Sequence, residues 1–292
     1  MITLIRWELH RFYRRLAPYY LYGALALLVT MVTWGMREFG RFSSRGGGAG
    51  LEIVGDTRNA LMVSQGASLT VAILLLYLVP VVVGEIVGGD GATGVLRTIL
   101  VRPRRRAQIW LAKYATAWIY ALSVSAALMG LSLLLGGLFF GWGKLYSAGD
   151  LHNGKLIVLT PREGLAYVAL SYSLLTLSVM TAGTIAVALG SWLDNALLPG
   201  MFAVGILITL QIITGLPYEW VEPLKPYVFT TYLLDHTKAY PNSFDPATGA
   251  LQFPAAAIWP MVRVHCVTIF CFAAAGLWRF TSFKTNSTMC WY

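Results

Sequence analysis

The chain is short of charge, of acids above all, and of cysteine. Only 12% of its 292 residues are charged and 57% are hydrophobic, whereas a soluble domain carries roughly 25% charge. That shortage argues against an ordinary soluble fold. Asp and Glu number 13 against 22 Lys and Arg, leaving a net charge of +9. The three cysteines, Cys266, Cys271 and Cys290, crowd one end of the chain and form no C-x-x-C pair. None falls in a predicted outer loop, which argues against a disulfide framework. His10, His152, His236 and His265 do not cluster, and H-E-x-x-H is absent. No metal site is therefore expected. No G-x-x-x-x-G-K-[ST] occurs either, so the chain is expected to bind no ATP by that device and to carry no cofactor of its own.

What the chain has in quantity is long apolar runs. Six are long enough to cross a bilayer as helices, at about 17–34, 66–86, 112–140, 164–190, 197–216 and 257–278. The expectation is one all-α transmembrane domain over residues 1–292. An even number of spans puts both termini on one side. That side holds 12 Lys and Arg against Glu8, Glu85, Asp90 and Asp194, a net of +8, while the other side nets +1. By the positive-inside rule both termini are cytoplasmic. The basic excess thus reads as topology rather than as a nucleic-acid surface.

Residues 2–16 precede the first span. On a helical wheel Ile2, Ile5, Leu9, Phe12, Tyr13 and Leu16 share one arc, with Arg6, Glu8, His10, Arg11, Arg14 and Arg15 on the other side. This predicts an amphipathic helix lying flat at the inner membrane face. Arg6, Arg11, Arg14 and Arg15, with Lys113 at the start of span three, are its expected surface anchors. The apolar run behind it is about 18 residues without an A-x-A site, and reads as a retained span rather than a cleaved signal. Outer loops are expected at 35–65, with the glycine-rich "RGGGAG", and at 141–163. In the short turn "GSWLDNA", Asp194 is placed to cap the next helix and Pro199 falls in that helix's first turn. Segment 217–256 is proline-studded, yet its "YVFTTYLL" is as apolar as a span and too short to be one. Short helices dipping into the outer leaflet, or a small external cap, both fit it.

Residues 89–94, Gly-Asp-Gly-Ala-Thr-Gly, spell the dinucleotide fingerprint G-x-G-x-x-G. Their setting opposes that function. The preceding apolar run is about 20 residues and contains Pro80, whereas a strand runs 4–8 and a central one rejects proline. No acid occurs between Asp90 and Asp150 to hold a ribose. The glycines instead end a span and lead into a short amphipathic helix. There Val95, Leu96, Ile99 and Leu100 share a face, Arg97 and Thr98 lie away from it, and Pro103 stops it. About two turns of helix are not stable alone in water, so that face is expected to dock on something.

The stretch 90–113, "DGATGVLRTILVRPRRRAQIWLAK", resembles the first cytoplasmic loop of ABC transporter permeases of the type-2 exporter class. That loop runs E-x-x-x-G-T-L, two leucines, P-x-S-R, then a lysine opening span three. Here Asp90 stands at the Glu position; Gly94, Leu96, Pro103, Arg106 and Lys113 match. Val95 replaces Thr and Arg105 replaces Ser. The six spans, the flat N-terminal helix and the proline-rich segment before span six resemble the family as well. The resemblance implies a coupling helix over 91–102, gripped by a cytoplasmic ATP-binding-cassette subunit present in two copies. Its contact residues would be Asp90, Gly91, Gly94, Val95, Leu96, Arg97, Ile99, Leu100, Arg102, Pro103 and Arg105. It further implies a second permease chain, identical or not, surrounding lipids, ATP and Mg in the partner subunit only, and residence in the plasma (inner) membrane of a prokaryote.

Two other classes compete. Gly66-Ala67-Ser68 with His265 gives a serine-hydrolase reading, although Leu69 stands where the G-x-S-G of the six-span rhomboid proteases has glycine. An ion-coupled carrier needs ionisable groups at mid-membrane. Here Glu85 and Lys113 sit at inner span ends, Arg263 and His265 near the outer end of span six, and Gln211 is alone in span five, where a helix-to-helix hydrogen bond is expected of it. Small residues at 23, 24, 130, 136, 137, 183, 200 and 205 read as packing positions.

Overall fold

The computed structural model describes residues 1–45, 59–94, 105–147, 157–239 and 255–282, with side chains omitted at 39–45, 146–147, 157–158, 239 and 257. Seven α-helices account for most of these: α1 Ile2–Tyr13, α2 Ala17–Arg45, α3 Ala60–Ala92, α4 Arg106–Phe140, α5 Pro161–Leu189, α6 Leu198–Gly215 and α7 Ala255–Ser282. The last six are long and apolar enough to cross a membrane, which makes this an all-α membrane protein. Successive spans alternate in direction. We call the end carrying α1 proximal and the opposite end distal.

Two helices form the centre. The apolar window of α5 is 83% buried and that of α3 61%, against 17–28% for the other four. A helix apolar on every side belongs inside, and α3 fits that rule. α2, α4, α6 and α7 surround the pair and turn apolar faces outward. At 33 residues α3 is about 50 Å long, against a hydrocarbon thickness near 30 Å, so its ends pass beyond the apolar slab or it tilts. The helix extends six residues beyond the expected span of 66–86 at each end.

Glycine sets the tightest approach. At Gly200 an added Cβ would strike the Cα of Val81 and come 2.9 Å from the Pro80 carbonyl oxygen, so α6 rests directly on the α3 backbone at its proline. At Gly136 an added Cβ would likewise come 2.8 Å from the Cα of Ala60. By contrast Gly23, Gly130 and Gly205 face open space and do not serve close packing within the chain.

At the distal end, Asn59 caps α3 by accepting from the amides of Leu61 and Met62 at 3.0 and 3.2 Å, while its Nδ2 donates to the Lys144 carbonyl. The loop expected at 141–163 contains an antiparallel pair, β1 Leu145–Ser147 and β2 Ile157–Leu159, registered Leu145 to Leu159. Both leucines are fully buried. Thr160 and Glu163 then form a reciprocal capping box that opens α5.

In the turn before α6, the side chain of Asn195 accepts from the amides of Leu197 and Leu198 at 2.9 and 3.1 Å. The capping expected of Asp194 is thus performed by its neighbour, because the Asp194 carboxylate lies over Gly91 instead. Pro199 does occupy the first turn of α6. Of segment 217–256, the part up to 239 folds as three 3-10 turns, Lys225–Tyr227, Phe229–Tyr232 and Asp235–Ala239. They wedge between α5, α6 and α7.

Candidate functional site

α1 places Glu8 and Arg11 one turn apart on one face, and Arg15 follows in the turn after the helix. Opposite them stand Glu85 and Asp90 near the end of α3, and Lys113 in the second turn of α4. Asp90 is 1% exposed and pairs with three cations, Arg11, Arg15 and Lys113; its Arg15 contact is 3.0 Å. Arg15 also reaches Glu85 at 2.9 Å. Lys113, fully buried, lies 3.3 Å from Glu8 and donates to the Ile86 carbonyl at 3.2 Å. Three cations thus meet three carboxylates, and the balance is what permits their burial. Burial lowers the pKa of Arg11 from its ordinary value, Glu8 opposes the shift and Arg15 adds to it. The guanidinium remains charged.

Beside the ions an aromatic group fixes the same helix. Phe12, 4% exposed, meets Tyr120 edge-on at 5.0 Å. Ser123 of α4 lies 3.0 Å from the Tyr13 hydroxyl and 2.6 Å from that of Tyr22. α1 is thereby fastened to α3, α4 and the start of α2 together. Its exposed side keeps Ile2, 82% exposed, as well as Arg6 and Arg14.

Several expectations change here. Arg11, Arg15 and Lys113 were expected as surface anchors, but they face inward because Asp90, Glu8 and Glu85 draw them. Glu8 lies on the buried side of α1 rather than on the solvated arc, since Lys113 gives it a partner. Asp90, expected to meet a partner subunit, is enclosed within the chain. Gly91 is pressed under Asp194, and Gly94, at φ +70°, ends α3 in a conformation that favours glycine. The fingerprint glycines therefore terminate a long helix. Arg105 is the N-cap residue of α4. Val95, Leu96, Arg97, Ile99, Leu100, Arg102 and Pro103 lie outside the described residues. Both ends of their loop, however, are bound by the cluster, at Asp90 on one side and Lys113 on the other.

The competing sites do not assemble. Ser68 Oγ donates to the Gln65 carbonyl in its own helix at 2.7 Å, and His265 Nδ1 bonds the Met261 carbonyl at 2.9 Å, so no nucleophile–base pair forms between them. Gln211 accepts from Tyr77 at 2.9 Å, the helix-to-helix bond expected of it. A second polar group, Ser64, Ser132 and Tyr172, ties α3, α4 and α5 together, with the Tyr172 hydroxyl donating to the Ser64 carbonyl at 3.0 Å. Among the described residues no three His, Cys, Asp or Glu side chains group as metal ligands.

Six apolar helices, four of them around a central pair, with an ion-locked helix at one end, define a polytopic helical membrane protein. A family model described as "Protein of unknown function (DUF2705)" matches residues 24–281. The chain belongs to that family. No curated protein matches it.

Proposed function

We propose that the chain is the membrane-spanning permease subunit of an ATP-driven exporter, with the proximal end in the cytoplasm of a prokaryotic cell and the protein in its plasma membrane. One observation carries the reading: the loop between α3 and α4 is anchored on both flanks, through Asp90 and Lys113, to the helix α1 that lies across the proximal end. A lever transmits force only if its mounts are stiff, and a charge-neutral, buried ion cluster supplies such a mount. The amphipathic segment 95–102, following the end of α3, is then the part that an ATP-binding subunit grips. ATP favours the closed form of two such subunits, and that preference biases the two-state membrane assembly. ATP and Mg belong to those subunits, so this chain is not itself an enzyme. Two permease chains flank the pathway, and the apolar spans suit a hydrophobic or lipid-like cargo.

The test is co-purification. The gene neighbouring this reading frame is examined for an ATP-binding-cassette protein, the two are co-expressed, and Leu96→Asp and Ile99→Asp variants are compared with wild type. We expect recovery of the ATPase to fall at least tenfold, as the loss of a buried apolar contact of about 1.5–3 kcal/mol per side chain requires. Undiminished recovery and coupled ATPase activity would refute it.

A further inference from the structure

The wedge and the helix α7 against which it packs each carry a buried imidazole. His236, in the third 3-10 turn, and His265, in α7, are both fully buried. His236 Nε2 lies 3.3 Å from the Ser68 carbonyl of α3, and His265 Nδ1 lies 2.9 Å from the Met261 carbonyl. A carbonyl oxygen only accepts, so each of those nitrogens carries the proton. The other nitrogen of each ring, Nδ1 of His236 and Nε2 of His265, is buried with no hydrogen-bond partner among the described residues. The hydroxyls of Thr230 in the wedge and Ser171 in α5 are likewise buried, with no partner among the described residues. Two vacant proton-accepting positions thus lie where short 3-10 turns pack on α3, α5 and α7.

Depth sharpens the point. Trp259 and Trp278 of α7 are 57% and 67% exposed, and their separation corresponds to about 28 Å of helix, close to the thickness of the hydrocarbon slab. Aromatic residues of this kind mark membrane interfaces. His265 then lies about 9 Å inside the distal interface, and Phe229 of the wedge meets its ring edge-on at 6.3 Å.

We infer that His236 and His265 form a proton-operated latch: neutral, they hold the wedge 229–239 between the helices, and a proton on either vacant nitrogen releases it. Among the described residues the surrounding charges are engaged with other partners. Asp235 is within electrostatic reach of both rings, but it is paired with Lys238 at 2.8 Å. From α3 the segment facing the wedge has no titratable side chain. From α5 there is Tyr172, whose hydroxyl is engaged with Ser64 and Ser132. From α7 there is Arg263, itself a cation, stacked on Trp259. The neighbouring turns add Lys225, paired with Glu222, and the hydroxyls of Tyr227 and Tyr232. Short 3-10 turns have poorer hydrogen bonds than α-helix and little independent stability, so the wedge is the element that yields. Burial holds the pKa of His236 below its ordinary 6.5, although the hydrogen bond to the Ser68 carbonyl opposes the shift. Closure is therefore complete above pH 6.5 and is lost as the pH falls below it.

This inference is independent of the exporter reading, because its test needs no partner subunit. Full-length chain in lipid nanodiscs, with Cys266, Cys271 and Cys290 replaced by Ala, receives Thr230→Cys as a reporter for a water-soluble maleimide. Labelling rates are expressed relative to the same chain bearing His236→Gln and His265→Gln at each pH, so that thiol chemistry cancels. The ratio should be near one at pH 7.5 and rise about tenfold by pH 5. A flat ratio overturns the latch. In a second measurement that spares both rings, nitrogen NMR of ¹⁵N-histidine is recorded with His10 and His152 replaced by Gln. Rings that stay neutral at pH 5, or that charge without the wedge becoming accessible, overturn it equally.

Discussion

Asp90→Asn removes one negative charge from the cluster and leaves the shape almost unchanged. In the wild type this carboxylate, 1% exposed, pairs with Arg11, Arg15 and Lys113. Removing one partner of a buried pair costs about 3–5 kcal/mol, because the other charge stays behind uncompensated. The lower end of that range applies here. Arg11 and Arg15 are 23% and 27% exposed, and water screens part of their loss. Lys113 is fully buried, but it keeps Glu8 at 3.3 Å and the Ile86 carbonyl at 3.2 Å. The expected loss is about 3 kcal/mol, over a hundredfold in the unfolding equilibrium. Reversible unfolding in mixed micelles by added SDS measures it. Adding Lys113→Met to Asp90→Asn takes away the stranded cation and should recover at least about half the loss. A cost below about 1 kcal/mol for the single variant, or no recovery in the double, would mean that the cluster is decoration rather than a clamp.

Packing at Gly200 and the bond of Gln211 give two further tests. Gly200→Ala forces a Cβ against the backbone of Val81 and Pro80, which cannot step aside as a side chain would; it should cost about 2 kcal/mol in the same micelle assay. Gly205→Ala, with nothing within 4 Å, should be neutral or slightly stabilising, and equal losses at the two sites would sink the argument. Tyr77→Phe deletes the donor to Gln211 and should cost about 0.6 kcal/mol, the typical worth of an interhelical bond in a bilayer; a loss above about 2 kcal/mol would show that Gln211 has no other recourse.

The spans were legible because a bilayer imposes a length and a hydropathy that no local preference overrides. Their ends were less so: α3 runs on to Ala92 because Glu85 and Asp90 find cations, and a hydropathy window cannot see a partner 70 or more residues away. The same blindness misplaced Glu8. A wheel ranks it as polar and turns it outward, but Lys113, 105 positions further on, makes the inward side favourable. A hint was available in the chain itself, since Glu85, Asp90 and Lys113 are ionisable groups in or beside spans and such groups are costly unless paired. The pair β1 and β2 was invisible because three residues show no period. At the turn into α6, Asp194 and Asn195 are both competent caps by chemistry; only the pressing of Asp194 onto Gly91 decides between them.

The inward turn of the acids has a practical consequence. Of the four carboxylates the sequence assigns to the proximal end, Glu8, Glu85 and Asp90 are spent on internal partners and Asp194 is folded against the end of α3. Among the described residues, Arg6 and Arg14 of that end are turned outward, with Asp194 the one exposed carboxylate beside them. Preparations at low ionic strength should therefore carry along polyanions such as nucleic-acid fragments and acidic phospholipids, and salt will govern their homogeneity more than detergent does.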